Sequence, residues 1–223
     1  MTLSPPTSEA ELLQRATVLA GMTLAQLAQQ CHQSVPPNQR HAKGWVGQLL
    51  ETALGATAGS LSEPDFQLLG IELKTLPITS AGTPRESTYV CTVPLHNIHL
   101  YTWETSNVWR KLARVLWIPV ETEAAISDRR LGMPLLWSPT PEQRAVLQQD
   151  WTDFAERISM GQLETLTARH GKYLQIRPKA AHAGILCDSI GATGELTSTL
   201  PRGFYLRTTF TTQLLKNHYV RSL

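Results

Sequence analysis

Asp65-Phe66-Gln67-Leu68-Leu69-Gly70-Ile71-Glu72-Leu73-Lys74, entered from Pro64 and continued by Thr75-Leu76-Pro77-Ile78, is the stretch around which the chain is organised. Gly70 to Ile78 alternates as a strand does, with successive side chains on opposite faces. Glu72 and Lys74 then share one face, and Ile71, Leu73 and Thr75 the other. Asp65 falls on the short turn leading in, where its carboxylate can fold back beside Glu72. Two carboxylates and one amine converge. That set suits metal-assisted phosphodiester hydrolysis, because Mg2+ is usually held by one or two carboxylates plus waters and phosphate oxygens. The metal polarises the phosphate and helps generate hydroxide, while a neighbouring lysine orients or deprotonates the water or balances transition-state charge. Alone, the same spacing also describes an amphipathic strand with a solvated Glu and Lys, so the surroundings decide.

The chain has 223 residues, 42% of them hydrophobic and 17% charged, enough to bury a core as one domain or two intimate subdomains and unlike a disordered chain. Met1 to Glu11 shows no basic patch followed by an apolar run, and no later segment approaches membrane-spanning length. A cytoplasmic protein without membrane contact is expected. Cys31, Cys91 and Cys187 are odd in number and never form Cys-x-x-Cys, which excludes a disulfide framework or a structural zinc site and leaves buried thiols. A net charge of +2 rules out a polycation that coats nucleic acid. Yet Thr167 to Leu223 holds eight Lys/Arg against two acids. Positive charge gathered at one end, with metal-type carboxylates near the middle, suits a protein that cleaves DNA.

Ser8-Glu9-Ala10-Glu11 reads as a capping box opening a helix that stops at Gly21, and Thr23 to Gln26 repeats the signal. The second helix, Leu24 to about Cys31, offers a rival reading, a non-enzymatic helix-turn-helix regulator. Pro36-Pro37 stands against it, where a recognition helix should follow a three- or four-residue turn. Lys43-Gly44-Trp45 leads into a third helix. Its Glu51 lies off the buried arc on a face lined by Gly44, Gly47 and Gly55, bare enough for close approach, or simply a surface charge beside a packed neighbour. Gly55-Ala56-Thr57-Ala58-Gly59-Ser60 lacks the Lys-Ser/Thr ending of a nucleotide-triphosphate loop. Ser80-Ala81-Gly82 predicts a turn into a strand over Ser87 to Leu95, an antiparallel hairpin partner for the key strand. Val115 to Val120 reads as a buried strand with Lys111 near its entrance, and Thr140-Pro141-Glu142-Gln143 opens a long helix. Tyr173 to Ile176 predicts a short strand delivering Arg177-Pro178-Lys179. With Pro201-Arg202-Gly203-Phe204-Tyr205 this forms two stiff basic loops fit to read guanine edges.

Several long words, in order, resemble the MutH family of mismatch-repair endonucleases: Lys43 to Glu51, Gly55 to Ser60, Asp65-Phe66, Gly70 to Thr75, Trp103 to Ser106, Val115 to Pro119, Leu174 to Lys179 and Leu200 to Leu206. The resemblance spans nearly the whole chain. It implies an α/β fold of the restriction-endonuclease-like kind, a mixed β-sheet flanked by helices, with two subdomains forming a DNA-binding cleft. Residues 1–223 would form one such domain, its catalytic part centred on 43–120 and its DNA-reading part mainly in 167–210. The implied activity is Mg2+-dependent nicking of the unmethylated strand at hemimethylated GATC, with MutL as activator and MutS acting indirectly, by a protein expected to be monomeric. Carried over by position, Asp65 and Glu72 hold metal, Lys74 handles the attacking water, Glu51 supports the cluster, and Lys111 assists at the phosphate. Arg177, Pro178, Lys179 and Tyr205 would read the site and its methylation, with Lys43 contacting DNA. Leu61 and Trp109 stand where the family pattern leads one to expect basic residues, putting DNA contacts there in doubt.

Overall fold

A computed structural model describes residues 3–59, 61–122, 124–167, 169–179 and 186–219, with the backbone alone at 40, 41 and 43. In chain order the elements are α1 (Glu9–Val18), α2 (Leu24–Gln30), α3 (Gln39–Leu54), β1 (Glu72–Ile78), β2 (Thr88–Thr92), α4 (Asn107–Leu112), β3 (Val115–Glu121), β4 (Leu135–Trp137), α5 (Pro141–Ser159), β5 (Leu174–Pro178), β6 (Cys187–Ile190), β7 (Leu196–Thr199), β8 (Arg202–Leu206) and α6 (Thr208–Tyr219). They divide into two compact units, residues 1–85 with 113–138, and residues 86–112 with 139–223. Of the stretch 43–120 expected to centre the catalytic part, 86–112 thus packs with the second unit.

In the first unit β3 is flanked by β1 in parallel and β4 antiparallel, the mixed sheet expected of the fold class. Leu73 pairs with Leu116, and both join Leu12, Leu24, Leu27, Leu49, Leu50 and Leu54 in one core, so helices α1 to α3 cover that face. Each fully buried leucine contributes about 1.5–3 kcal/mol. Glu72 and Lys74, in register with Val115 and Trp117, lie on the opposite face. The hairpin expected between the key strand and Ser87–Leu95 does not form. Thr79 N–H does reach the Thr83 carbonyl in a turn, but pairing stops at an Ile78–Pro84 bridge and the chain passes into the second unit. β3, apolar and buried from Val115 to Val120, takes the place beside β1, since a strand buried on both faces belongs in the middle of a sheet.

Local signals held in part. The Thr23/Gln26 and Thr140/Gln143 capping boxes are complete. At α1 only half of one forms: Ser8 accepts from the Glu11 N–H, but the Glu11 carboxylate takes the Thr7 N–H and hydroxyl at 2.8 Å instead. Helix α3 begins at Gln39, four residues before Lys43, and Cys31 to Asn38, with both prolines, separates it from α2, so no short turn joins the pair as a helix-turn-helix requires. Of the three thiols only Cys91 is buried; Cys31 and Cys187 are half-exposed. Among the described residues no helix is long and apolar enough to cross a membrane.

In the second unit β8 lies between β2 and β5, antiparallel to both, and β6 pairs with β7. The start of β5 is clamped from two sides. Asp150, 5% exposed on α5, accepts the N–H groups of Lys172, Tyr173 and Leu174 at 2.6–2.8 Å. Arg207 donates to the carbonyls of His170 and Gly171 at 2.7 and 3.0 Å.

Candidate active site and nucleic-acid interface

The strand β1 starts at Glu72, two residues later than the alternation predicts, because Gly70 closes a turn. Its φ is +65°, the left-handed region that glycine adopts without penalty, and an isolated Phe66–Ile71 bridge closes the loop. That turn folds Asp65 back along the strand. Its Oδ2 accepts the Leu73 N–H at 2.8 Å, while its backbone carbonyl accepts the N–H groups of Thr57 and Ala58 at 2.9 and 3.3 Å. The Gly-Ala-Thr-Ala loop after α3 thus grips the turn carrying Asp65. Beside it, Lys74 Nζ donates to Glu72 Oε1 at 2.6 Å, with Glu72 2% and Asp65 9% exposed. A buried ion pair is retained only where further bonds compensate for its desolvation. The surface-strand alternative, with Glu72 and Lys74 solvated, does not match this burial.

Asp65, Glu72 and Lys74 are therefore brought to one place. Glu51 stands half-buried on α3, the helix that packs against β1. Its bare face has two parts. Side chains added at Gly44 would meet nothing within 4 Å, and at Gly47 only the Glu51 carboxylate, whereas one at Gly55 would strike the carbonyls of Leu3 and Ser4. The glycines admit a neighbouring segment at one end and leave open surface at the other. Lys43 lies on α3, but its side chain is outside the described residues. Lys111, on α4, belongs to the second unit.

Arg177 and Pro178 stand within β5 and Tyr205 within β8, not on loops, with Lys179 one residue beyond β5. Sheet register replaces loop stiffness as the source of order, since side chains on strands are placed more closely than those on loops. Gln175 and Tyr89 flank Tyr205, and Arg177 pairs with Gly203, so these residues share a face. Arg177 donates to the Ser87 hydroxyl at 2.7 Å, its guanidinium 5.8 Å from the Tyr205 ring centre. Tyr89 meets Tyr205 edge to face at 5.4 Å. A side chain at Gly203 would press on both rings, 2.9 and 3.0 Å away. Ser87, Tyr89 and Thr92 escaped the sequence reading; no local pattern marks them, because the neighbouring strands that bring them here are distant in sequence.

Among the described residues no three or more His, Cys, Asp or Glu side chains group as a metal-ligand set. The donors at hand are the two carboxylates Asp65 and Glu72, hard oxygens that fit a hard divalent cation completing its shell with water or phosphate oxygen. A family model described as DNA mismatch repair enzyme MutH matches residues 54–150, which include both carboxylates and Lys74. A DNA mismatch repair protein MutH from Escherichia coli is 54% identical over 220 residues, covering 98% of this chain and 96% of its own. The chain belongs to the MutH family. MutH proteins of Vibrio cholerae and Shewanella baltica are 52% and 54% identical, each covering at least 95% of this chain and 96% or more of its own length. The two departures from the family pattern differ in kind. Leu61 is an exposed apolar side chain, 58% accessible. Trp109 packs on Trp103 at 5.4 Å with the Arg144 guanidinium 4.4 Å above its ring, so an aromatic contact and a cation from α5 occupy the position expected to be basic.

Proposed function

We propose that this MutH-family chain is a divalent-metal-dependent endonuclease that nicks the unmethylated strand at hemimethylated GATC sites in methyl-directed mismatch repair, with Mg2+ as cofactor. The observation that carries this reading is the buried Glu72–Lys74 pair with Asp65 folded onto the same strand. Asp65 and Glu72 would hold the cation, whose chemistry there is to polarise the scissile phosphate and acidify water. Lys74, held at 2.6 Å by Glu72, orients the attacking water or balances charge on the phosphate. Glu51 supports this cluster from α3. Lys111 assists at the phosphate, and Lys43 contacts DNA. Arg177, Pro178, Lys179 and Tyr205 read the bases. The chain acts as a monomer in the cytoplasm, activated by MutL after MutS finds a mismatch. Supercoiled plasmid bearing GATC should become open circles with Mg2+ and stay closed in EDTA; binding without metal-dependent nicking would reject the reading.

Reading and chemistry separate by mutation. Lys179→Ala should lose preference for GATC by about 1–3 kcal/mol, the usual worth of a base contact, whereas Lys111→Ala should lose rate on all sequences alike. Equal losses on GATC and scrambled duplexes for Lys179→Ala would remove its reading role. Strand choice follows from one Asp65/Glu72/Lys74 cluster per chain: a monomer on a palindrome can attack one phosphate, so it nicks. An N6-methyl group adds bulk in the major groove that a close-fitting side chain rejects. Tyr205, whose ring meets that of Tyr89 edge to face, is the side chain proposed for that contact. Tyr205→Ser should nick methylated strands relatively better, read on hemimethylated duplexes with the strands labelled separately; unchanged strand preference would count against it.

A further inference from the structure

On a regular strand, residues three apart face opposite ways. Tyr89 and Thr92 do not. The pairing of β2 with β8 shifts between Tyr89 and Cys91, so that Tyr89 stands opposite Tyr205 and Thr92 opposite Gly203, two residues of β8 on one face. Val90 and Cys91 are both buried inside the bulge. Bulges of this kind re-aim side chains, often beside functional sites. Here the result is a hydroxyl pair, Tyr89 Oη and Thr92 Oγ1, 2.9 Å apart.

The Lys179 ammonium sits on this pair. Nζ donates to Tyr89 Oη and, at 3.0 Å, to Thr92 Oγ1, and lies 4.2 Å from the centre of the Tyr89 ring. The Lys179 N–H donates to the Pro201 carbonyl at 2.8 Å, fixing the base of the side chain beside β8. An ammonium has three N–H donors. With two directed at the hydroxyls, the third has no partner among the described residues and can meet an acceptor such as guanine O6 or N7. Holding a flexible lysine in advance also reduces the rotamer freedom lost on binding.

We propose that Tyr89 and Thr92 are positioning residues whose hydroxyls, brought together by the β2 bulge, hold the Lys179 ammonium for its contact with a base edge. The inference rests on the reading of Lys179 as a base contact. Tyr89→Phe/Thr92→Val keeps the ring, its edge on Tyr205 and the side-chain shape at 92, but removes both hydroxyls. The readout is the ratio of kcat/KM on GATC to that on duplexes changed at one base, with Mg2+ and the full chain. The double variant should lower this ratio about tenfold, Thr92→Ser should keep it, and in a Lys179→Ala background the double variant should change nothing further. A wild-type ratio in the double variant, alongside an unselective Lys179→Ala, overturns the positioning role while leaving Lys179 as reader. Additive losses in the Lys179→Ala background also overturn it, because the hydroxyls would then act on DNA without the lysine. A selective Lys179→Ala rejects the base contact itself, and the positioning role with it.

Discussion

Asp65→Asn and Glu72→Gln are each expected to slow nicking of GATC plasmid by about 100-fold or more, the usual consequence of losing an oriented metal ligand or charge stabiliser. Amide replacements are the right choice because of how the site is packed. Asp65 Oδ2 accepts the Leu73 N–H and Glu72 Oε1 accepts from Lys74, and an amide oxygen can keep each of those bonds. Lys74→Ala should also abolish nicking, but it strips the ammonium from a carboxylate only 2% exposed. Breaking a buried pair from one side costs about 3–5 kcal/mol, so that variant must be compared at matched folded fraction. Specific binding in EDTA, followed by gel shift, should survive in both amide variants. Near-normal nicking by Asp65→Asn would sink the proposed metal site.

The second large effect concerns stability. Asp150→Ala removes the acceptor for three backbone N–H groups at the entry to β5 and is expected to destabilise the protein by about 3–5 kcal/mol. Asp150→Asn, which retains one acceptor oxygen and turns an amide NH2 towards the same donors, should fall between. Urea unfolding measures this as a lower midpoint at unchanged slope. Because β5 carries Arg177 and leads to Lys179, selectivity for GATC should weaken together with stability. An Asp150→Ala midpoint within experimental scatter of wild type would show that water replaces the carboxylate and that Arg207 alone holds the loop.

Much of the proposed metal site was legible from order alone. Alternation put Glu72 and Lys74 on one face, and the nearby Asp65 turn made a fold-back plausible, because both depend on neighbours within ten residues. Capping boxes at Thr23 and Thr140 were readable for the same reason. The resemblance of long words then supplied the family, and family comparison agreed. What sequence order could not specify was strand partnership. Ser80-Ala81-Gly82 makes a turn, yet nothing local says that β1 will choose β3, nor that β2 will leave for β8.

By itself, then, the sequence implied the α/β class through its family resemblance, and through local pattern alone it gave the Asp65/Glu72/Lys74 grouping and the basic, aromatic character of the segments holding Arg177 and Tyr205. Hydrophobic period, turn residues and side-chain alternation act over a few positions, and a reader of the chain sees them directly. Only the tertiary structure decided that Arg177 and Tyr205 sit on strands rather than loops, that Asp150 clamps the start of β5, and that a bulge turns Tyr89 and Thr92 towards Lys179. Register between strands far apart in sequence depends on the packing of whole faces, and shifting it by one residue sends a side chain to the other side of the sheet.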